Sequence, residues 1–229
     1  QVDASVGGKL GIDLGGLKNQ IGVFNFPQIV VIFPPFLETL EFRQLRSGFA
    51  EVLKHALIQD LDYWEKVKNI EVSSDFNWSG IIEHSIQIKN KVVLEDPKEK
   101  GLRKILNFGH TIGHAIETWH LENDPNFFLH GEAIAIGMIA EGFLSKEKTG
   151  LSKIELEEIV VTLKRVYELK PLSSNNFESY CGLMIHDKKN SDGKISCSLL
   201  TKIGECKWDI FANREDLINA LEFYNKTVA

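Results

Sequence analysis

Two histidines four residues apart, His110 and His114, lie in the stretch LNFGHTIGHAIE, residues 106–117. At this spacing both imidazole rings project from one face of a helix. A glycine precedes each ring, although a glycine inside a helix costs about 1 kcal/mol relative to alanine. Gly109 and Gly113 form a second stripe of small residues, which lets a neighbouring helix or a ligand come close. A hydrogen-bonded pair at a helix interface is the alternative interpretation of such histidines.

A third histidine and a carboxylate could complete a metal site with this pair. His130 begins an apolar helix rich in small residues, LHGEAIAIG, and Glu51 lies in SGFAEVLKH on another helix. Neutral imidazole is the commonest metal ligand in proteins. Two nitrogens, one carboxylate oxygen and a vacant position make up a catalytic site for a divalent metal, zinc above all. These residues are far apart in sequence and form no compact ligand motif, so spacing alone does not prove the site.

The composition argues against several other classes of protein. The chain has 229 residues, of which 43% are hydrophobic and 25% are charged, so it can bury a core. A net charge of −6 without a long basic run argues against a nucleic-acid surface. Three cysteines without CxxC spacing indicate neither a disulfide framework nor a thiolate zinc site. No apolar run reaches the roughly 20 residues that span a bilayer and no leader opens the chain, so we expect a cytoplasmic protein without a membrane partner.

The elements that must position these residues are mostly helices. Frequent glycines between Gln1 and Phe26 favour a loop, and the β-branched run PQIVVIF, residues 27–33, predicts one strand. Apolar residues at helical spacing predict the helices, and Asn213 is expected to cap the last one. The helices are expected over 37–68, 78–93, 102–120, 131–146, 152–169 and after 213, and a hairpin over 195–200 and 205–210. The fold class is therefore mainly α with a partly β N-terminal segment, and not a complete doubly wound sheet.

Two strings, DPKEKGLRKILNFGHTIGHAIE (96–117) and HGEAIAIGM (130–138), form a specific combination. QVDASVGGK, GLKNQIGVFNFPQ, LRSGFAEVLKHALI and HDKKN agree with it in order along the chain. Together they resemble the 3-dehydroquinate synthase family of the shikimate pathway over nearly the whole sequence. The resemblance implies that residues 1–36 are a remnant of an N-terminal α/β domain carrying a substrate loop. Residues 37–229 would form the helical metal- and substrate-binding domain of that fold, with a small β-hairpin.

The resemblance also implies a role for each matching position. Glu51, His110 and His130 correspond to the metal ligands, and His114 corresponds to a residue near the substrate that does not bind the metal. The other matching residues are catalytic or bind the substrate. The catalytic set is His114, Lys54, Asn107 and Arg103, and the substrate-binding set is Asp3, Lys9, Lys18, Asn19, Lys89 and Lys188, with Lys189 as an alternative to Lys188.

The activity implied by the resemblance accounts for these residue types. It converts 3-deoxy-D-arabino-heptulosonate 7-phosphate to 3-dehydroquinate and phosphate, with NAD and a divalent metal, zinc or cobalt, as cofactors. A substrate with a carboxylate and a phosphate needs several fixed cations in an acidic protein. Zinc would polarise the hydroxyl that NAD oxidises, and His114 and Asn107 would orient or shuttle protons around it. Family members usually pair, which implies a homodimer.

One part of the family pattern is missing from the sequence. A dinucleotide cradle uses a run of consecutive glycines that lets the backbone approach the pyrophosphate, and only the pairs Gly7-Gly8 and Gly15-Gly16 occur. The chain begins at about the point where the α/β domain would be ending. We therefore expect part of a longer enzyme that lacks most of its NAD site and does not turn over alone. Asp13 stands where the family usually has asparagine, a departure without a physical reason.

Less specific hypotheses are consistent with the same residues. Related enzymes close other carbocycles from sugar phosphates, and a non-catalytic helical module could keep the pocket without the chemistry. Most lysines are solvated surface charges, Arg103 could be a charge on a helix face, and Asp3 could be a turn residue. Glu51 and Lys54, at i and i+3, could be a surface ion pair worth about 0.2–0.5 kcal/mol.

Overall fold

Helices make up most of the structure, a computed structural model that describes residues 1–14, 17–185 and 194–229, without the side chains of residues 13, 14 and 17–20. The mainly α prediction is confirmed. Eight α-helices lie within these residues: α1 (Phe42–Gln59), α2 (Leu61–Val67), α3 (Ser79–Glu95), α4 (His110–Asn123), α5 (His130–Lys148), α6 (Lys153–Val166), α7 (Phe177–Ile185) and α8 (Arg214–Val228). Short 3₁₀ helices cover Pro34–Thr39, Leu102–Asn107 and Ser174–Asn176.

Two antiparallel hairpins accompany the helices. The strands are β1 (Lys9–Leu14) paired with β2 (Leu17–Phe24), and β3 (Ile195–Lys202) paired with β4 (Glu205–Ala212). The β3–β4 hairpin was predicted, and Gly204 occupies its turn with φ of +87°. The predicted cap at Asn213 is also confirmed, because its side chain accepts a hydrogen bond from the backbone of Asp216. Ser152 caps α6 in the same way, by accepting from the backbone of Glu155.

Helix α5 lies at the centre of the core. The apolar residues of its segment 133–140 are fully buried, and the helix packs against α1, α4, α6, α8 and β3. A helix that is apolar on all sides belongs in the interior of a domain. The sequence AIAIGMIA satisfies this requirement while its alanines and glycine keep the helix narrow. Among the helices in the described residues, none is long and apolar enough to cross a membrane.

Glycines set the distance between α4 and α5. A Cβ added to Gly137 would lie 1.9 Å from the carbonyl oxygen of Gly109, and one added to Gly113 would lie 2.9 Å from that of Ala133. Both values are below any normal contact, so the backbones approach as closely as two chains can. The small-residue stripe beside the histidines therefore serves helix packing, one of the two uses expected for it.

Gly137→Ala tests this close approach. We expect a loss of about 1–3 kcal/mol in the free energy of unfolding, because the added methyl group must push two packed backbones apart. Denaturant unfolding would measure the change. The matched control is Gly182→Ala in α7, where an added Cβ meets nothing within 4 Å; it should be neutral or stabilise by up to about 1 kcal/mol. Equal effects of the two substitutions would contradict this account of the packing.

The continuous helix predicted over residues 102–120 is wrong. The 3₁₀ helix ends at Asn107, and α4 begins at His110, after a break at Phe108 and Gly109. Gly109 adopts φ of +79°, a left-handed conformation that side chains rarely adopt. This glycine is thus outside the helix interior, and its helix-propensity cost does not arise. The helix expected over 37–68 is likewise divided, because Asp60 ends α1 and caps α2.

Two predictions for the N-terminal segment are also wrong. Lys9–Leu14 and Leu17–Phe24 pair as the strands of the β1–β2 hairpin, where a loop was expected. Residues 27–33, predicted as a strand, contain no strand, because no described strand lies beside them to complete a ladder. Most of their apolar side chains are left in solvent, with Ile29 76% and Val31 80% exposed, and Ile32 packs partly against the core. Helix α7 was not predicted at all.

Candidate metal and cation site

Glu51 lies on the buried face of α1, a helix that also places Lys54 and His55 in the core. Glu51, Lys54 and His55 are each at most 5% exposed. The surface ion pair considered for Glu51 and Lys54 is therefore wrong, since Lys54 Nζ lies 2.5 Å from Glu51 Oε2 in the interior. Buried charges need partners. The other oxygen of Glu51, Oε1, faces the imidazole rings of His110 and His130.

The N-terminus of α5 brings His130 to Glu51. The backbone N–H of Gly131 donates to Ser47 Oγ at 2.9 Å, one turn before Glu51 on α1. A Cβ on Gly131 would lie 1.9 Å from the Ser47 carbonyl oxygen, so this contact requires glycine. Glu132 then caps the helix by accepting from the Leu129 N–H at 2.9 Å. The sequence HGE thus positions His130 through the two residues that follow it.

The position of His110 at the N-terminus of α4 is set by a buried carboxyl group on α5. Glu141, fully buried on α5, accepts hydrogen bonds from the N–H groups of Gly109 at 2.7 Å and Ile112 at 2.9 Å. Burial raises the pKa of Glu141 to about 8, against the effect of these backbone donors. A carboxyl group placed here satisfies N–H groups that a helix start leaves open. Sequence reasoning missed Glu141, because nothing local to it shows which helix it would cap.

Through these helix-terminus contacts, Glu51, His110 and His130 come close together. Glu51 Oε1 lies 3.2 Å from His130 Nε2 and 3.4 Å from His110 Nε2. Two ligand atoms bound about 2.0–2.1 Å from a tetrahedral zinc ion stand about 3.3 Å apart. The three groups therefore have the chemistry of a zinc site, and the distances from Glu51 to the two imidazoles suit one.

The other nitrogen of each ring is held by an oxygen. Nδ1 of His110 lies 3.1 Å from the Phe108 carbonyl oxygen, and Nδ1 of His130 lies 3.1 Å from Glu117 Oε2. In a neutral ring such a partner takes the Nδ1 proton, which would leave Nε2 with its lone pair toward a metal, and a metal would have to displace the second proton that Glu117 and Glu51 favour on His130. Glu117, two turns after His110 on α4, was missed by sequence reasoning. The only signal for it was its place seven residues after His110, on the same helix face.

Glu117→Gln tests this arrangement. We expect zinc affinity to fall by about 10–100-fold, because the amide keeps the shape but loses the charge that orients the His130 ring. Competition with a chromophoric chelator would measure the affinity. Glu122→Gln, an exposed position on the same helix, is the matched control and should leave affinity unchanged. An unchanged affinity in Glu117→Gln would remove Glu117 from the site.

His114 stands beside the three converging groups. Its ring centroid is 4.9 Å from that of His110 and 5.7 Å from that of His130. One nitrogen of each of these three histidines lies within 4.8 Å of the others, so a three-histidine ligand set is a second geometric possibility. Glu51 Oε1 lies at tetrahedral spacing from His110 and His130, which favours the first set, and the choice between the two sets stays a prediction.

The charges at this centre are strongly coupled. Burial alone would raise the pKa of Glu51, but Lys54 and the two imidazoles hold it well below its usual value. Burial lowers the pKa of His110, and Lys54 adds to the effect. Burial opposes protonation of His130 as well, yet Glu117 and Glu51 raise its pKa to about 9. Glu51 is therefore an anion at neutral pH, as a metal ligand must be.

A cluster of buried cations adjoins the metal-ligand group. Asp3 Oδ1 lies 2.8 Å from Lys89 Nζ and 3.7 Å from Lys54 Nζ. Lys89 also donates to the Asp3 carbonyl oxygen. Lys54 is 1% and Lys89 5% exposed, so the ordinary interpretation of these lysines as surface charges is wrong. Glu51 joins the two groups, with one oxygen toward the imidazoles and the other toward Lys54.

Arg103 is a third buried cation. It donates from Nη2 to the Gly7 carbonyl oxygen at 2.7 Å and from Nη1 to that of Pro97 at 2.9 Å. A Cβ on Gly7, whose φ is +108°, would lie 2.7 Å from Nη2. Arg103 is 1% exposed, so a charge on an exposed helix face is ruled out. Its guanidinium ties the N-terminal segment to the core.

Lys9 and Asn107 both contact Glu99, a residue that was not predicted from the sequence. Asn107 Nδ2 donates to Glu99 Oε1 at 2.6 Å, and Lys9 forms an ion pair with Glu99 Oε2. Glu99 has φ of +55°, in a region that residues other than glycine rarely adopt. A strained acidic residue that holds two site residues is typical of functional loops.

Three predicted substrate residues are not tested by these contacts. The backbone of Lys18 and Asn19 belongs to β2, and their side chains lie outside the described part of the structure. Lys188 and its alternative Lys189 lie outside the described residues. Their roles remain predictions, as do the catalytic and binding roles of the residues placed above.

Two family models match the chain and show the family to which it belongs. A family model described as 3-dehydroquinate synthase C-terminal matches residues 48–190, and one described as 3-dehydroquinate synthase N-terminal matches residues 1–47. The chain belongs to the 3-dehydroquinate synthase family. The two family models meet inside α1, and the domain boundary expected between residues 36 and 37 stays a prediction.

Individual members of the 3-dehydroquinate synthase family align over most of the chain. A 3-dehydroquinate synthase from Parabacteroides distasonis is 38% identical over 99% of this chain and 64% of its own length. One from Leptospira interrogans is 39% identical over 96% of this chain and 61% of its own length. The chain thus spans about three fifths of the length of these relatives. Both relatives are synthases by name, and the likeness supports an enzyme.

Solved structures share the fold. A 2-epi-5-epi-valiolone synthase from Streptomyces hygroscopicus, with NAD+ and Zn2+ bound, has a TM-score of 0.77 and 25% identity, covering 98% of this chain and 63% of that one. A 2-deoxy-scyllo-inosose synthase complexed with carbaglucose-6-phosphate, NAD+ and Co2+ has a TM-score of 0.81 and 24% identity, covering 96% and 62%. The second likeness concerns the fold alone.

Proposed function

We propose that the chain is the metal- and substrate-binding part of a 3-dehydroquinate synthase. The enzyme would convert 3-deoxy-D-arabino-heptulosonate 7-phosphate to 3-dehydroquinate and phosphate, with NAD and a divalent metal, zinc or cobalt. The observation that carries the proposal is the convergence of Glu51 with His110 and His130 at 3.4 and 3.2 Å, beside buried cations. The family membership and the similarity to a zinc- and NAD-binding synthase support it.

The metal fits the residues present. Glu51, His110 and His130 would hold it, and the donor set of two imidazole nitrogens and one carboxylate oxygen is one that zinc favours. When bound, the metal acts as a Lewis acid that polarises the substrate hydroxyl to be oxidised. Lys54 keeps Glu51 ionised for this purpose, which gives Lys54 an indirect part in the reaction.

The remaining residues would bind and orient the substrate. Lys9, Lys89 and Arg103 surround the N-terminal segment with positive charge and suit the carboxylate and phosphate of a sugar acid phosphate. Asn107, held by Glu99 at 2.6 Å, would fix one substrate oxygen. His114 has a ring beside the metal ligands and would move a proton at the reacting centre.

Metal and ligand binding test the proposal directly. We expect one zinc ion per chain by elemental analysis after removal of excess metal. We also expect calorimetric binding of a carbaphosphonate analogue of the substrate that weakens in high salt and after metal removal. A non-catalytic helical module would hold neither metal nor analogue, and that result would refute the proposal.

A sister cyclase is the second candidate function, because the structural neighbour at 25% identity is by name a 2-epi-5-epi-valiolone synthase. Comparison of the carbaphosphonate with carbaglucose-6-phosphate would discriminate, since the dehydroquinate branch should prefer the ligand that carries a carboxylate. With NAD, zinc and true substrate, we expect these 229 residues alone to release no phosphate. Robust release would contradict that expectation, and light scattering would test the proposed homodimer.

A further inference from the structure

His55 is a buried titratable residue that the proposed reaction does not use. It follows Lys54 on α1 and is 0% exposed. Its Nδ1 lies 2.6 Å from Ser85 Oγ on α3. Its Nε2 faces Asp3 Oδ1 at 3.5 Å and makes no closer hydrogen bond with any described residue. The ring thus connects the centre of the core with the side chain of Asp3.

The partners of His55 determine its tautomer. Lys54, His55 and Lys89 hold the pKa of Asp3 below its usual value despite its burial, so its carboxylate can only accept hydrogen bonds. Burial lowers the pKa of His55, which leaves the ring neutral. Nε2 must then carry the one ring proton toward Asp3, and Nδ1 accepts the hydroxyl proton of Ser85. The result is a directed chain of donors from Ser85 through His55 to Asp3.

Two other uses of this cluster are excluded by its surroundings. Aspartate, histidine and serine in this order also occur in hydrolases, but Ser85 is 0% exposed and cannot reach a substrate. Asp3, Glu51 and His55 lie close enough to share a metal ion. However, Lys54 Nζ is 2.5 Å from Glu51 and Lys89 Nζ is 2.8 Å from Asp3. Two ammonium groups already neutralise the oxygens that a second cation would need.

The Asp3 side chain needs neighbouring side chains to fix its orientation. It lies before β1, in a turn outside any helix or strand, and its side chain is 31% exposed. The orientation of its carboxylate therefore depends on the side chains around it, and His55 is the one neutral donor among those described. Lys54 and Lys89 attract the carboxylate as point charges, whereas an N–H of a rigid ring gives it a direction.

We propose that His55 is a positioning residue that aims the Asp3 carboxylate at a hydroxyl group of the bound polyol phosphate. This inference rests on the proposed function, which places a polyol phosphate beside Asp3. His55 itself touches no ligand. The 3.5 Å contact shortens when a hydroxyl donates to Asp3, since such hydrogen bonds are often long before the ligand binds.

A double-mutant cycle with the 229-residue chain, loaded with zinc, tests the inference. The probe is the carbaphosphonate analogue, and its affinity is measured by calorimetry. His55→Leu should weaken binding about tenfold, because a hydrogen bond to a charged group is lost. His55→Gln, whose amide N–H can replace Nε2, should recover most of the affinity. In an Asp3→Asn background, His55→Leu should change affinity by less than about twofold.

The zinc affinity of each variant is the control. It should stay at the wild-type value, because the metal ligands are untouched. Additive losses from Asp3→Asn and His55→Leu would show a merely structural role and overturn the inference. So would unchanged probe affinity in His55→Leu while the wild type binds. A wild-type chain that binds no probe would instead refute the proposed function, and this inference with it.

A second variant covers the case in which His55→Leu does not fold. Ser85→Ala removes the hydroxyl that fixes the tautomer and deletes only one atom. It should weaken probe binding about threefold, with zinc affinity unchanged, because part of the ring population then turns its proton away from Asp3. Unchanged probe affinity in a folded Ser85→Ala chain would overturn the inference.

Discussion

His110→Ala should lower the zinc affinity of the chain by at least about 100-fold. The substitution removes one of the three proposed protein ligands. Loss of a residue that only hydrogen-bonds to a ligand already lowers metal affinity by about 10–100-fold. The neighbouring groups cannot replace the lost nitrogen, since Glu51 already faces the metal position with Oε1 and holds Lys54 with Oε2. Chelator competition at about pH 7 would measure the affinity, with elemental analysis for stoichiometry.

Two other histidines serve as controls for this prediction. His84→Ala should have no effect on zinc affinity, because His84 pairs with Asp60 at 2.8 Å, away from the ligands. His114→Ala should lower the affinity by less than about tenfold if His114 stands beside the metal without binding it. A loss from His114→Ala as large as that from His110→Ala, together with little effect of Glu51→Gln, would instead establish the three-histidine set.

Lys54→Met should lower the free energy of unfolding by about 3–5 kcal/mol. Breaking a buried ion pair leaves the remaining charge without compensation, and that is the costly way to lose such a pair. Here two carboxylates are affected, because Lys54 Nζ lies 2.5 Å from Glu51 and 3.7 Å from Asp3. Denaturant unfolding of the metal-free protein near neutral pH would measure the change.

The control and the pH dependence sharpen this second prediction. Lys153→Met removes a partner of Glu157 from an exposed helical pair, with Lys153 77% exposed, and should change stability by less than about 0.5 kcal/mol. In the wild type, the pKa of Glu51 is depressed, so its stabilising contribution is present above the usual value of 4.5 and is lost as the pH falls. The difference between Lys54→Met and wild type should therefore shrink below about pH 4.5. A difference that does not depend on pH would assign the loss to packing.

A site that brings Glu51, His110 and His130 together could be predicted because imidazole and carboxylate chemistry is visible in residue type and local context; their role as metal ligands stays a prediction. The helix start at His130 was expected, whereas the start of α4 at His110 was not. The family resemblance gave Lys54, Lys89 and Arg103 roles in the site, but their burial was not predicted, because their sequence context is equally consistent with an ordinary surface position. Resemblance carried information about non-local contacts that pattern and spacing do not contain.

The failures have a common physical origin. The break at Gly109 depends on Glu141, 32 residues later, which caps the new helix start. The run 27–33 has strand propensity, but a strand forms only beside another strand. Glu117 and His55 matter through partners on other elements, at 3.1 and 2.6 Å. In each case the deciding interaction joins distant parts of the chain, and no local pattern reveals it.

The glycines at the helix contacts limit which substitutions this fold tolerates. Gly131 and Gly137 leave no room for a methyl group, because an added carbon would lie 1.9 Å from a backbone oxygen. Their neighbours across these contacts, Ser47 and Gly109, fix where Glu51 and His110 stand. A saturation library selected for zinc retention should therefore tolerate as few residue types at Gly131 and Gly137 as at the ligands themselves. Residues without side chains would then be as restricted in this fold as the proposed metal ligands.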